Sequence, residues 1–511
     1  MKNNYFKFII NIFLVLVYIL YFSCLYKLIG ESGGILYIYV YSPIIVFLIL
    51  FLVGVPISVS NSITKSHILG HIKNREKTFN FLKLFYIFLS FILFFVIMSF
   101  ADSISYFFLN NKSISLGIKI TGSSLIFASI LGVYRGYFIG INHKEYSTIS
   151  KIIEYFIKFI IVIILYLITI KFKISLNKIL NIIFTCNTFS YLASFIYLVV
   201  LKNKKSLNKL KKEPKLLKKI ILKENILQTL INCIIFLFIS FCFIFDLLSL
   251  NTILVDKLNY TASSSENIIG SIILWGNALN LLFIGIIIRL LKDFKSIINK
   301  YILQKDINKI GDYISNLYKK ILFFSLPISI FVCFCATSIW NILYENSKYG
   351  TLAYHYFGIL IFIFVIFIVC YQILILLKQY RVLWIGIITG LLIKILFNNS
   401  MIFGINKLGF PAFYGTITAT FLAGIVASII AIAYINSKYK IRFESIVKEF
   451  FNIVTASIIM LIALMVINRV VIFETNNNII YIVSFLINGF IASSIYIFLT
   501  YKFDTIKNIF K

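Results

Sequence analysis

About fourteen apolar runs of roughly twenty residues each, separated by short polar breaks, leave this 511-residue chain one kind of solution. The runs lie near 8–28, 35–59, 81–100, 117–140, 152–170, 179–200, 226–250, 267–289, 321–344, 354–376, 383–404, 412–435, 450–472 and 480–500. Runs of this length suit helices, which satisfy every backbone group within one segment; barrel strands would be about ten residues long and alternate apolar with polar. The expected fold is all-α, a polytopic membrane protein of about 14 transmembrane helices. Hydrophobic residues make up 60% of the chain and charged ones 13%, which excludes a soluble domain of this length.

The net charge of +31 would suggest nucleic acid in a soluble protein, but its distribution argues otherwise. With the N-terminus cytoplasmic, most Lys and Arg fall in cytoplasmic loops, among them Lys65, Lys73, Arg75, Lys77 and the ten lysines from Lys202 to Lys223. The opposite loops are short and hold Asp102, Glu345 and Glu474. A multi-pass cell-membrane protein with both termini cytoplasmic and no nucleic-acid partner is therefore expected. The lysine-rich stretch suits membrane lipid headgroups, but a solvated, topology-setting linker explains it more simply. The start, with Lys2 and Lys7 before a long apolar run, lacks a small-residue cleavage site and is expected to remain as the first helix. Seven cysteines, all in apolar runs, and four histidines show no metal-ligand spacing, so neither a metal nor a cofactor is expected.

An internal repeat organises the runs. Ser103-Ile-Ser-Tyr-Phe-Phe-Leu-Asn-Asn111 closes the third and Ser338-Ile-Trp-Asn-Ile-Leu-Tyr-Glu-Asn346 the ninth. Tyr134-Arg135 followed by Phe156-Ile-Lys158-Phe parallels Cys370-Tyr371 followed by Leu392-Ile-Lys394-Ile at nearly the same offset. An even number of spans separates the copies, so they share an orientation, as in parallel-repeat transporters. The expected organisation is a six-helix lobe at 1–201, a basic cytoplasmic linker at 202–223, a second six-helix lobe at 224–437 and an additional helix pair with its tail at 438–511.

Charges inside the apolar runs mark the candidate site, because a charge at bilayer depth costs about 2.5 to 3.5 kcal/mol and usually faces a partner or a water-filled path. Arg135 lies within Ser129-Ile-Leu-Gly-Val-Tyr-Arg-Gly-Tyr-Phe-Ile-Gly140, and Glu154 follows in the next run with Lys158 one helical turn later. A structural ion pair competes with a functional role for Glu154 and Lys158. Arginine presents a planar fork that matches phosphate, and Lys119, Lys158, Arg289 and Lys394 add to a basic interior opposed mainly by Glu154 and Asp246. Such a cavity prefers an anion. The second copy has Tyr371 in place of Arg135 and Gly390 in place of Glu154, so the first lobe holds the stronger site. Gly132, Gly136 and Gly140 form a small-residue stripe that suits close packing, with a hinge at Gly136 as the alternative; Pro56, which lacks a backbone donor, is the better hinge candidate.

Several segments together carry a family resemblance. Leu28-Ile-Gly30-Glu-Ser-Gly-Gly-Ile-Leu-Tyr37, Gly54-Val-Pro-Ile-Ser-Val-Ser60, Leu69-Gly70 with Arg75, and above all Tyr134-Arg-Gly-Tyr-Phe-Ile-Gly140 with Ser147-Thr-Ile-Ser-Lys-Ile-Ile-Glu154 resemble the polysaccharide-biosynthesis, stage V sporulation protein B group. That group belongs to the multidrug/oligosaccharidyl-lipid/polysaccharide (MOP) exporter superfamily, alongside bacterial lipid II flippases. In the second lobe Asp306 to Asp312, Lys394 to Asn398 and Leu408-Gly409 keep the group's spacing, and the likeness thins after about residue 440. The resemblance implies a flippase that carries an undecaprenyl-(pyro)phosphate-linked saccharide from inner to outer leaflet by alternating access. It places the basic residue ending the first span at Lys27, the arginine of the fourth at Arg135 and the glutamate of the fifth at Glu154. Phe22 stands about where the group often has an arginine, and Leu291 near where it has a proline.

The mechanism also follows from physical chemistry. A sugar-pyrophosphate head loses its hydration in hydrocarbon, and a basic cavity supplies substitute partners while the polyprenyl tail stays in lipid. An inside-negative potential favours outward movement of the anion by about 2.3 kcal/mol per charge per 100 mV. Proton or sodium coupling through Glu154 is the alternative drive, and flipping that persists unchanged without a potential excludes the voltage version. Two other functions stand beside the flippase: a cation-coupled multidrug exporter, which calls for an acidic or apolar cavity, and a non-transporting scaffold for envelope polymer assembly, in which Arg135 is dispensable. No phosphate-cradling glycine loop, nucleophile with a base or metal constellation occurs in the sequence, so catalysis is not expected.

Overall fold

The computed structural model describes residues 2–109, 112–203, 218–291, 293–439, 441–470 and 478–510, which are helical almost throughout and contain no strand. By contact the chain divides into two compact units, Met1–Ser240 and Phe241–Lys511. The first holds α1 (Lys2–Ile49), α2 (Val55–Ile68), α3 (Ile72–Leu109), α4 (Ser115–Gly140), α5 (Lys144–Lys171), α6 (Leu176–Asn203) and the first part of α7 (Lys218–Thr252). The second continues through α8 (Ala262–Gly270), α9 (Asn277–Leu290), α10 (Phe294–Gln304), α11 (Ile307–Phe334), α12 (Ala336–Leu343), α13 (Lys348–Phe357) and α14 (Leu360–Leu376). It ends with α15 (Tyr380–Lys407), α16 (Tyr414–Tyr439), α17 (Phe443–Val470), α18 (Asn478–Lys502) and α19 (Thr505–Phe510).

Among the described residues, 12 helical runs are long and apolar enough to cross a membrane, and the bent pair α13–α14 makes 13. The first run, Ile9–Ile68, is 60 residues long, about three times what a bilayer needs. It is interrupted at Gly30, whose φ of 66° and ψ of −168° are open to glycine and strained for other residues. With that break the runs correspond one for one to the expected spans. The chain is a polytopic, all-helical membrane protein. Exposed apolar side chains run down single helix faces, Leu84, Phe88, Phe91 and Phe95 on α3 for example, as lipid contact requires.

In the first unit α4 packs against α1, α2, α3 and α6. Its glycine stripe is a packing surface: a Cβ on Gly132 would lie 2.1 Å from the Phe51 carbonyl oxygen, one on Gly136 2.8 Å from that of Pro56, and one on Gly140 2.9 Å from that of Ser60. Backbone therefore meets backbone, as small residues permit between membrane helices. Pro56 sits in the first turn of α2, directly after the π-helical turn Leu50–Gly54. Gly132→Ala is expected to force α4 off that turn and to cost about 1 to 3 kcal/mol, read as a lower melting temperature in nanodiscs. Gly285→Ala, where a Cβ would meet nothing within 4 Å, is the matched control and should melt as the wild type does.

By contact the division falls within α7, after Ser240; residues 204–217 of the lysine-rich stretch lie outside the described residues. The reason is a run of polar contacts between the first part of α7 and helices α2 and α3. Lys65 meets Glu224 at 2.7 Å, Asn61 donates to Gln228, Asn225 donates to Ser62, and the Tyr86 hydroxyl lies 2.7 Å from Asn225 and 2.8 Å from Thr229. Polar groups lose much of their solvation penalty when they pair, and these pairs tie α7 to the first unit.

In the second unit α15 lies along α16, with Gly415 so close to Ile402 that a Cβ would meet its Cα at 2.3 Å. Helices α17 to α19 pack on α11 through Phe323, Ile453, Met460, Leu464 and Tyr496, with the Tyr496 hydroxyl donating to the Phe323 carbonyl at 2.9 Å. Beside this cluster an apolar groove of about 260 Å3 runs between α11, α17 and α18.

Candidate functional site

The fourth and fifth spans bring the sequence-predicted charges together. Arg135, in the last turns of α4, directs Nη2 to Glu154 Oε2 at 2.8 Å and Nε to Ser150 Oγ at 2.9 Å. Lys158, one turn beyond Glu154 on α5, donates to the other carboxylate oxygen, Oε1, at 2.8 Å. The side chains of Arg135, Glu154 and Lys158 are only 3, 6 and 8% exposed. Ser150 donates in turn to the Ser147 carbonyl, and Ser194 on α6 donates to the Ser150 carbonyl, which fixes the oxygen that Arg135 uses. Two cations thus share one carboxylate, and the cluster keeps a surplus positive charge.

An aromatic wall adjoins the triad. The Lys158 ammonium sits 5.1 Å from the centre of the Tyr155 ring and 4.8 Å from that of Tyr191. The Tyr155 ring lies 5.3 Å from Tyr18 on α1, and Tyr18 lies 4.7 Å from Phe22. Phe22, where the resemblance has an arginine, therefore supplies a ring to this wall.

The other candidate residues take no part in the triad's hydrogen bonds and ion pairs. Lys119 pairs with Asp102 at 3.0 Å, which Lys112 also approaches at 3.5 Å. At 1.5 Å per residue it lies about 24 Å from Arg135 along α4. Lys27 is exposed near the Gly30 break, and Arg289 is exposed in the last turn of α9.

In the second unit Lys394 and Asp246, both within 2% of full burial, meet at 2.6 Å. The same ammonium donates to Asn398 Oδ1 at 2.9 Å, the Thr416 carbonyl at 2.9 Å and Thr420 Oγ1 at 2.8 Å. Lys394 is thus enclosed by oxygens of α7, α15 and α16. At the repeat-related position Lys158 takes its carboxylate from its own helix, whereas Lys394, with Gly390 in the place of Glu154, takes it from α7. Tyr371, in the place of Arg135, donates to the Ala427 carbonyl at 3.2 Å.

Solved structures share this arrangement of helices. A lipid II flippase, MurJ, in an inward closed conformation is similar with a TM-score of 0.67, over 98% of this chain and 99% of that one, at 16% identity. An inward-facing multidrug resistance MATE family transporter of the MOP superfamily gives 0.64 over 83% and 94% at 11% identity. A MOP superfamily transporter from Pyrococcus furiosus, described by the reverse polarity of its binding pocket, gives 0.61 over 84% and 95% at 11% identity. This chain has the fold of the MOP transporters. No family model matches the sequence, and no curated protein matches it.

Within this MOP fold the sequence reading missed Ser150, Tyr18, Tyr155 and Tyr191 as neighbours of the triad. Lys151, Glu154, Tyr155 and Lys158 recur at three- and four-residue spacing, the signature of one helix face, and that spacing was the available signal. Tyrosines in a chain with 32 of them offer no comparable contrast.

Proposed function

We propose that the chain is an exporter of the flippase type, which carries an anionic, undecaprenyl-(pyro)phosphate-linked saccharide from the inner to the outer leaflet by alternating access, with both termini cytoplasmic. The observation that carries this reading is the surplus of positive charge in the Arg135–Glu154–Lys158 cluster of the first unit. The fold is common to a lipid II flippase and to multidrug transporters, so polarity separates the two. A buried cluster with two cations on one carboxylate repels a cationic drug and attracts a phosphate. Glu154 has both oxygens committed to cations, so a proton or sodium ion that coupled to transport there would have to displace one of them. The apolar groove between α11, α17 and α18 suits a polyprenyl tail, which needs only dispersion contacts.

The test is flipping of a fluorescent undecaprenyl-pyrophosphate-linked sugar in proteoliposomes, wild type against Arg135→Ala at equal reconstituted amounts. Loss of Arg135 leaves Glu154 and Lys158 as a neutral pair, so folding should survive while the surplus charge disappears. The expected flipping rate is about tenfold lower, the order of a one-charge change in Coulomb attraction at an effective dielectric near 20. Equal rates in the two proteins would reject the cluster's role, and no flipping by the wild type would reject the substrate class.

A further inference from the structure

We propose that Lys151 is the residue that takes the substrate's phosphate, with the rings of Tyr155 and Tyr18 beside it taking the face of the adjoining sugar. The inference rests on the anionic lipid-linked substrate proposed above and names the position that would hold its head.

The argument begins with the direction in which Lys151 points. At 3.6 residues per turn, the exposed apolar residues Phe156, Ile160, Ile164 and Leu167 lie roughly 140 to 220° around α5 from Lys151. They form the lipid face. The buried residues Ser147, Glu154, Lys158, Val162 and Leu165 lie within roughly 60° of Lys151, on the face that packs against α1, α4 and α6. Lys151 stands in the middle of that inward face, and yet it is exposed. A side chain that points away from the lipid face and is still exposed is open to water and to an anion that water carries.

Availability singles it out further. Arg135 is held by Glu154 and Ser150, Lys158 by Glu154 and two tyrosine rings, Lys394 by four oxygens, and Lys119 by Asp102. Lys151 makes no hydrogen bond or ion pair with any described residue, although it lies within electrostatic range of Arg135 and Glu154. An ammonium is a compact point charge that binds phosphate without a preset geometry. The surplus positive charge next to it raises the local attraction for an anion without itself touching one. One turn further along α5, Tyr155 is half-buried, as are Tyr18 and Phe22, so each ring keeps an accessible part. Tyrosine offers an apolar face and a polar tip, which fits a sugar whose faces are apolar and whose rim carries hydroxyls. Phosphate and first sugar are adjacent in such a lipid, as Lys151 and Tyr155 are four residues, about one turn, apart on α5.

Binding to the purified full chain tests this with three probes: undecaprenyl pyrophosphate, the same lipid carrying one N-acetylglucosamine, and uncharged undecaprenol. The wild type is expected to prefer both pyrophosphate lipids over undecaprenol. Lys151→Met should weaken both by about tenfold or more with an unchanged melting temperature, since no partner is lost, and Lys151→Arg should restore them. Tyr155→Leu should weaken the sugar-bearing lipid more than the bare pyrophosphate. If the wild type binds the pyrophosphate lipids and Lys151→Met binds them equally well, the assignment of Lys151 is wrong while the proposed function stands. If the wild type shows no preference for pyrophosphate over undecaprenol, both fail. Equal weakening of the two pyrophosphate lipids by Tyr155→Leu overturns the sugar contact.

Discussion

Glu154→Ala is expected to destabilise the protein by about 3 to 5 kcal/mol, more than loss of either of its partners, because it leaves two buried cations facing each other without a counterion. The charge arithmetic of the triad decides the order. Removing Arg135 leaves Glu154 with Lys158, and removing Lys158 leaves it with Arg135; each remaining pair is neutral and keeps a hydrogen bond of 2.8 Å. Removing Glu154 leaves a guanidinium and an ammonium that are each less than a tenth exposed. Glu154→Gln should fall between, since the amide oxygen still accepts a hydrogen bond but offsets neither charge. Thermal unfolding in nanodiscs, followed by tryptophan fluorescence, gives the ranking. A Glu154→Ala protein that melts with or above Arg135→Ala would mean that water reaches the cluster and solvates the freed cations, and the description of a closed, buried triad would then be wrong.

How much of this was legible in the sequence depended on the kind of signal. The spans were legible because a membrane helix announces itself by composition alone, and the polar stretch Gly30-Glu-Ser-Gly-Gly marked the break within the first helical run. The triad was legible because charges are rare in apolar runs and Glu154 and Lys158 stand one helical turn apart. The π-helical turns at Leu50–Gly54, Ile253–Lys257 and Ser271–Gly276 were not, since one widened turn shifts the hydrophobic pattern too little to register. The neighbours of α7 are hard to read for another reason. Hydropathy reports that a helix prefers lipid or protein to water, but not which neighbour it packs on, and the polar positions Glu224, Asn225, Gln228 and Thr229 are the trace of that neighbour. Lys119 counts toward a basic interior by composition alone, and about 24 Å along α4 separates it from Arg135.

The pair formed by Asp246 and Lys394 was half legible: each was recognised as an intramembrane charge, but residues so distant in the chain carry no spacing that ties them together. Their environments are unequal, and a second large effect follows. With Asp246 removed, Lys394 still has Asn398, the Thr416 carbonyl and Thr420 as acceptors. With Lys394 removed, no hydrogen-bond donor among the described residues is left to Asp246, which is 1% exposed. Lys394→Met is therefore expected to cost about 3 to 5 kcal/mol, and Asp246→Ala less. The double variant Asp246→Ala/Lys394→Met should be more stable than Lys394→Met alone, because it removes the stranded carboxylate together with its partner. A double-mutant cycle on melting in nanodiscs then shows an interaction of about 1 to 3 kcal/mol, the range for residues in direct contact. Additive losses would mean that the two charges do not depend on each other, and a Lys394→Met protein as stable as the wild type would mean that Asp246 finds water that a closed packing of α7, α15 and α16 excludes.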